Sequence, residues 1–174
     1  VANSDNHFSV KLGGNYVYCG STATFSGNGK VTDYSKAFIY KVGDNKATRI
    51  TATNELADGA KVVLVYKASK DKKYYALLPE NTKTSLSSDN RMKAQLVAAS
   101  DPGDEISVEG DNIVWQLNQR EVEETGLPID ACIQNTATGK YIGEDSSNLN
   151  TVDEALTCNI YEENGKVYVK MPNN

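Results

Sequence analysis

Residues 131–143 read ACIQNTATGKYIG, and how this stretch is interpreted decides the fold. ACIQ has the short, half-apolar character of a strand with one face covered. NTATG is made of turn formers, and Gly139 can adopt backbone angles that other residues avoid. Lys140-Tyr141-Ile142 then sets a Tyr between a polar and an apolar residue, as at the opening of a second strand. The unit is a strand, a turn and a polar-Tyr-apolar step.

The same order recurs twice. Near the start, Phe8-Ser9-Val10-Lys11 is followed by Asn15-Tyr16-Val17. In the middle, Val63-Leu64-Val65-Tyr66 is followed by Lys73-Tyr74-Tyr75. After an excursion of variable length, each copy reaches a strand ending in an aromatic. These are Phe38-Ile39-Tyr40-Lys41, Ile113-Val114-Trp115-Gln116 and Asn159-Ile160-Tyr161-Glu162. The middle excursion is the longest and includes NRMKAQLVAASDPGDEISVEG. No such unit buries its own apolar face, whereas three together do. The expected fold is all-β: a compact barrel of about twelve short strands, β-trefoil-like, with three degenerate repeats. One domain over 1–174 is expected, with units at about 8–50, 60–120 and 130–171. Tyr40, Trp115 and Tyr161 are expected to be core layers. Tyr16, Tyr74 and Tyr141 suit core and surface equally.

The rest of the chain agrees. Short runs such as AFIYKV, KVVLVYK, YYALL, AQLVAA and NIVWQL alternate with Gly, Asn, Asp and Ser. Asn164-Gly165, between CNIYEE and KVYVKM, is a strong hairpin signal. Helical periodicity is confined to 119–125, which suits a loop equally, and to one turn at 53–57.

Composition narrows the function classes. The chain has 174 residues and a net charge of -5, enough for a sizeable core. Its richest basic run, KASKDKK, is interrupted by Asp71 and reads as a solvated hairpin loop, so no nucleic-acid partner is expected. No apolar run reaches 18 residues, so no membrane insertion is expected. Three Cys, at 19, 132 and 158, cannot all pair within one chain. Either Cys132 and Cys158 pair, leaving Cys19 free, or all three are small strand residues. Ten Tyr suit strands that are half buried and half wet.

Two resemblances rest on these motifs. An aromatic closing each of three copies resembles the β-trefoil superfamily. Ricin-type lectins of that superfamily carry Gln-x-Trp; the nearest stretch here, Val114-Trp115-Gln116, has the order reversed, so no sugar-binding residue carries over. From Arg49 onward, ITATNELADGAKVVLVYK, SSDNRMKAQLV, DEISVEGDNIVWQL and TATGKYIG resemble uncharacterised all-β modules of secreted or surface proteins from gut bacteria. That resemblance implies a bacterial, secreted or cell-surface location. Residues 1–48 are then the first trefoil copy or the tail of a preceding module.

Catalytic chemistry finds little support. The one His, His7, stands near the start of the chain, and no nucleophile motif accompanies it. Acidic clusters, such as Asp101, Asp104 and Glu105, or Glu144 and Asp145, read as solvated turns rather than a glycosidase pair or a calcium loop. No enzyme activity, metal or cofactor is expected.

The expectation is a non-catalytic binding module, lectin-like and directed at a glycan. Tyr faces stack on sugar rings and short amides take the hydroxyls. Candidate ligand-binding residues are Tyr16, Tyr18, Tyr74, Tyr75 and Tyr141, with Asn15 and Asn135. The alternative is a protein-interaction or protease-inhibitor-like trefoil binding a surface protein, presenting Lys83, Leu86, Arg91 and Met92 on the middle loop. A structural spacer in a larger surface protein is a third reading.

Overall fold

A computed structural model of the chain describes residues 7–20, 24–30, 34–82, 91–119, 129–145 and 148–162. It is all-β and antiparallel, with one short 3-10 turn at Thr53–Glu55. The strands are β1 Phe8–Leu12, β2 Asn15–Cys19, β3 Phe25–Asn28, β4 Ala37–Val42, β5 Lys46–Arg49, β6 Lys61–Lys67 and β7 Tyr74–Asn81. They continue as β8 Met92–Ala98, β9 Glu105–Ser107, β10 Trp115–Gln119, β11 Ile129–Asn135, β12 Tyr141–Asp145, β13 Asn148–Val152 and β14 Cys158–Glu162. The sequence-expected hairpin around Asn164-Gly165 and most of 119–125 lie outside the described residues.

Six strands pair in a closed cycle. It runs β1 to β4, β4 to β6, β6 to β10, β10 to β11, β11 to β14, and from β14 back to β1. The returning ladder joins Phe8 to Glu162 and Leu12 to Cys158, so early and late strands lie side by side. Three further pairs form hairpins: β2 with β3, β7 with β8, and β12 with β13. The hairpins meet one another. Phe25 of β3 pairs with Met92 of β8, and the Thr151 amide of β13 donates to the Asn81 side chain of β7 at 3.1 Å.

The three stretches compared in the sequence fall on strands of this scheme. Their first strands are β1, β6 and β11, their Tyr steps open β2, β7 and β12, and their last strands are β4, β10 and β14. Tyr16, Tyr74 and Tyr141 stand opposite Lys11, Lys67 and Gln134 in the ladders. That register corrects the sequence comparison by one residue in the middle unit. Lys67, not Tyr66, matches Lys11 and Gln134. The physical reason is the two-residue period of a strand, in which a one-residue slip exchanges the faces. With the corrected register, Phe8, Leu64 and Ala131 correspond, as do Val10, Tyr66 and Ile133. All six belong to one apolar cluster, while Val63 and Val65 face a second.

The first cluster fills the space inside the cycle and beneath the hairpins, with Trp115, Ile39, Leu117 and Ile160 fully buried. Trp115 donates its indole N–H to the Leu77 carbonyl at 3.0 Å, which ties the cycle to the β7–β8 hairpin. The second cluster lies on the other face of β4, β6 and β7. It holds Tyr40, Val63, Val65, Tyr74, Ile106, Ile113 and Val114. β5 and β9 belong to this outer layer, since β5 pairs with β4 and β9 with β5. Tyr40 and Trp115 are therefore both core residues, but of different layers. The Tyr161 side chain lies outside the described set.

Arg49 pins the outer layer. Its guanidinium stands 3.9 Å from the centre of the Phe38 ring and 3.2 Å from the Asp101 carboxylate. Its side chain is only 6% exposed, so the ring and the carboxylate replace much of its water. Beside it, the Tyr40 hydroxyl donates to the Gly103 carbonyl at 2.6 Å. Burial pushes the Tyr40 phenol up to about 12.

Two variants test this packing. Trp115→Ala removes the largest buried side chain and an indole hydrogen bond, and is expected to lower stability by about 3–5 kcal/mol in urea denaturation followed by circular dichroism. Gly143 abuts Val152 so closely that an added Cβ would overlap a Val152 methyl. Gly143→Ala is expected to destabilise, and Val152→Ala to recover part of the loss in the double variant. Additive effects would rule out that close contact.

Candidate ligand-binding surface

The β6–β7 turn, residues 68–73, brings the most polar chemistry to an aromatic surface. The turn closes through mutual backbone bonds: the Ala68 amide donates to the Lys73 carbonyl and the Lys72 amide to the Ala68 carbonyl. Lys72 lies at φ +62°, a left-handed conformation that a non-glycine residue adopts at some cost. Asp71 supports the turn by accepting the Lys73 amide at 3.1 Å. Its other oxygen accepts the Tyr75 hydroxyl at 2.7 Å.

Tyr34 completes the group from a distant part of the chain. The Lys72 ammonium stands 4.4 Å from the centre of the Tyr34 ring and donates to the Tyr34 hydroxyl. The same ammonium donates to the Ser69 carbonyl at 2.7 Å. Two half-buried tyrosines thus flank an exposed carboxylate and an exposed ammonium. The Tyr75 hydroxyl bond, followed by the Lys73 amide and charge, holds the Asp71 carboxyl below its ordinary value against a desolvation effect that raises it. The reciprocal bond to Asp71 raises the Tyr75 phenol.

The sequence-expected site residues separate. Tyr75 belongs to this group. Tyr74, its neighbour, points the other way and is buried beside Phe38, with ring centres 5.9 Å apart. Tyr16 is buried, with the Lys11 ammonium 5.3 Å from its ring centre. Tyr18 and Tyr141 are half-buried. Asn15 donates to the Glu144 carboxylate at 3.1 Å. Asn135 is wholly buried and shapes the NTATG turn: its side-chain oxygen accepts the Ala137 and Thr138 amides, and its amide nitrogen donates to Asn112 and Val114. Gly139 follows at φ +71°, which accounts for the Gly before Lys140-Tyr141. Of the middle-loop anchors, Met92 is wholly buried and Arg91 half-buried, while Lys83 and Leu86 lie outside the described residues.

Tyr34, Asp71 and Lys72 were absent from the sequence-expected set. The signal available for two of them was the Asp within KASKDKK. Tyr34 is 38 residues from Lys72, and nothing local announces it. The three thiols are free and buried. Burial pushes Cys19 and Cys158 up to about 12, opposite to what a nucleophile needs. Among the described residues no group of three His, Cys, Asp or Glu side chains is placed to hold a metal. No helix among them is long and apolar enough to cross a membrane.

No protein-family model and no curated protein matches this chain. The Tyr75–Asp71 bond is open to a direct test. Tyr75→Phe deletes the donor that favours ionised Asp71, so the Asp71 pKa is expected to rise towards that of an ordinary carboxylate. An NMR titration of the side-chain carboxyl carbons reads this. The bond's contribution to stability is present above the unfolded carboxylate value and is lost as pH falls through the folded one.

Proposed function

We propose that the chain is a non-catalytic, β-trefoil-like carbohydrate-binding module, secreted or displayed on a bacterial surface. The cycle of six strands supports the trefoil-like barrel, since each sequence unit gives two strands to the cycle and one hairpin beside it. The single observation that carries the binding reading is the exposed Asp71–Lys72 pair set between Tyr34 and Tyr75. A sugar offers an apolar ring face and several hydroxyls. A half-buried Tyr ring takes the former, while a carboxylate and an ammonium take the latter. Its bonds to the Tyr34 hydroxyl and the Ser69 carbonyl hold the Lys72 ammonium over Tyr34 before any ligand arrives, which lowers the ordering cost of binding.

A glycan array followed by calorimetry on any hit tests the proposal. Tyr34→Ala and Tyr75→Ala are each expected to weaken binding about tenfold without unfolding the chain. Tyr141→Ala, on another hairpin, is expected to leave it unchanged. A silent array would defeat the carbohydrate reading. Binding lost with Tyr141→Ala alone would move the site to the NTATGKYIG turn.

A further inference from the structure

β8 and β9 are consecutive strands joined by the short connection 99–104, with Gly103 at φ +77°. Such a connection ordinarily yields a hairpin, yet among the described residues the two strands do not pair. β8 is paired with β7 along 94–98, and β9 with β5. Among the described residues, the only ladder on the far side of β8 is the single pair Phe25–Met92 at its start. One side of each strand therefore faces a groove of about 410 Å³ between them.

The groove has a definite character. Leu96 is 52% exposed and is the one large exposed hydrophobic side chain among the described residues. Val97 adds apolar lining, Ile106 and Ile113 lie beneath with almost no exposed surface, and of the two carboxylates Glu109 is exposed while Glu105 is paired with Lys46. The 94–98 edge reads AQLVA, without the charges or Pro that ordinarily blunt a free strand edge.

We infer that this groove receives an extended, basic segment of a partner protein, which adds a strand between β8 and β9. The main chain of the segment would bond to both edges, as in strand-addition complexes. Its alternate side chains would serve two purposes. Apolar residues would cover Leu96 and Val97, and a Lys or Arg would meet Glu109 and compete with Lys46 for Glu105. This surface is separate from the β6–β7 turn, and the inference does not rest on the carbohydrate reading.

The test uses the whole chain and a fluorescein-labelled peptide of alternating Lys and Val, about eight residues long to match a strand. The Lys/Val peptide is expected to bind in anisotropy titrations and to weaken as salt rises, while a Glu/Val peptide of equal length fails to bind. Amide exchange is expected to slow at 94–98 and 105–107. Leu96→Ser and Glu109→Lys alter exposed side chains, and each is expected to weaken binding about tenfold while circular dichroism stays unchanged. Equal binding of both peptides, or protection elsewhere, would overturn the inference. So would concentration-dependent dimerisation that protects the same residues without peptide, because the groove would then serve a second copy of this chain.

Discussion

The ladder between β1 and β14 is the constraint on which the rest depends. Without it the five other pairings of the cycle would form an open sheet with two free edges. Each edge would offer unpaired main-chain groups, and one face would lack a cover. With it, Phe8, Val10 and Leu12 reach the same interior as Cys158 and Ile160. The interior is then lined from every side by short strands, none of which holds a large apolar face of its own. Lys11 and Ser9, on the opposite face of β1, are buried as well.

A second layer modifies this plan on one side only. The outer face of β4 and β6 carries Tyr40, Val63 and Val65, which in a bare cycle would meet water. β5, β9 and residues 99–114 cover it, and Arg49 holds the cover through Phe38 and Asp101. The same covering layer reaches only Val97 and Ala98 of β8 and leaves Leu96 exposed. The groove beside Leu96 is thus a by-product of where the added layer ends, and the β6–β7 turn lies on a part of the molecule that the layer leaves in water.

Much of the first plan was legible because it is local. Asn135, Gly139 and Tyr141 announce a turn and a strand within a few residues, and the two other Tyr steps follow the same order. The middle unit was read one residue out of register because VVLVY is apolar at every position. Alternation, the only local guide to which face is inward, is erased when both faces are buried. The second layer was not legible for a related reason. Tyr40 and Trp115 look equivalent in sequence, and only the distant partners Gly103 and Leu77 assign them to different cores. The surface group was half visible. Asp71 and Lys72 stand in a readable turn with the candidate Tyr75 just beyond it, but Tyr34 comes to them through the fold. Asn135 shows what sequence leaves hidden: its amide is shared between its own turn and the distant carbonyls of Asn112 and Val114.

The β1–β14 ladder also sets a timetable. Leu12 waits for Cys158, so the interior stays open on a ribosome until almost all the described chain has been made. Contacts so far apart in sequence close slowly, because the loop entropy is lost before the packing is gained. The hairpins β2–β3, β7–β8 and β12–β13 need only neighbouring residues and can form as they emerge. Synthesis would thus present a string of preformed hairpins joined by uncovered apolar strands, and the last strand would convert them into one body in a single late step.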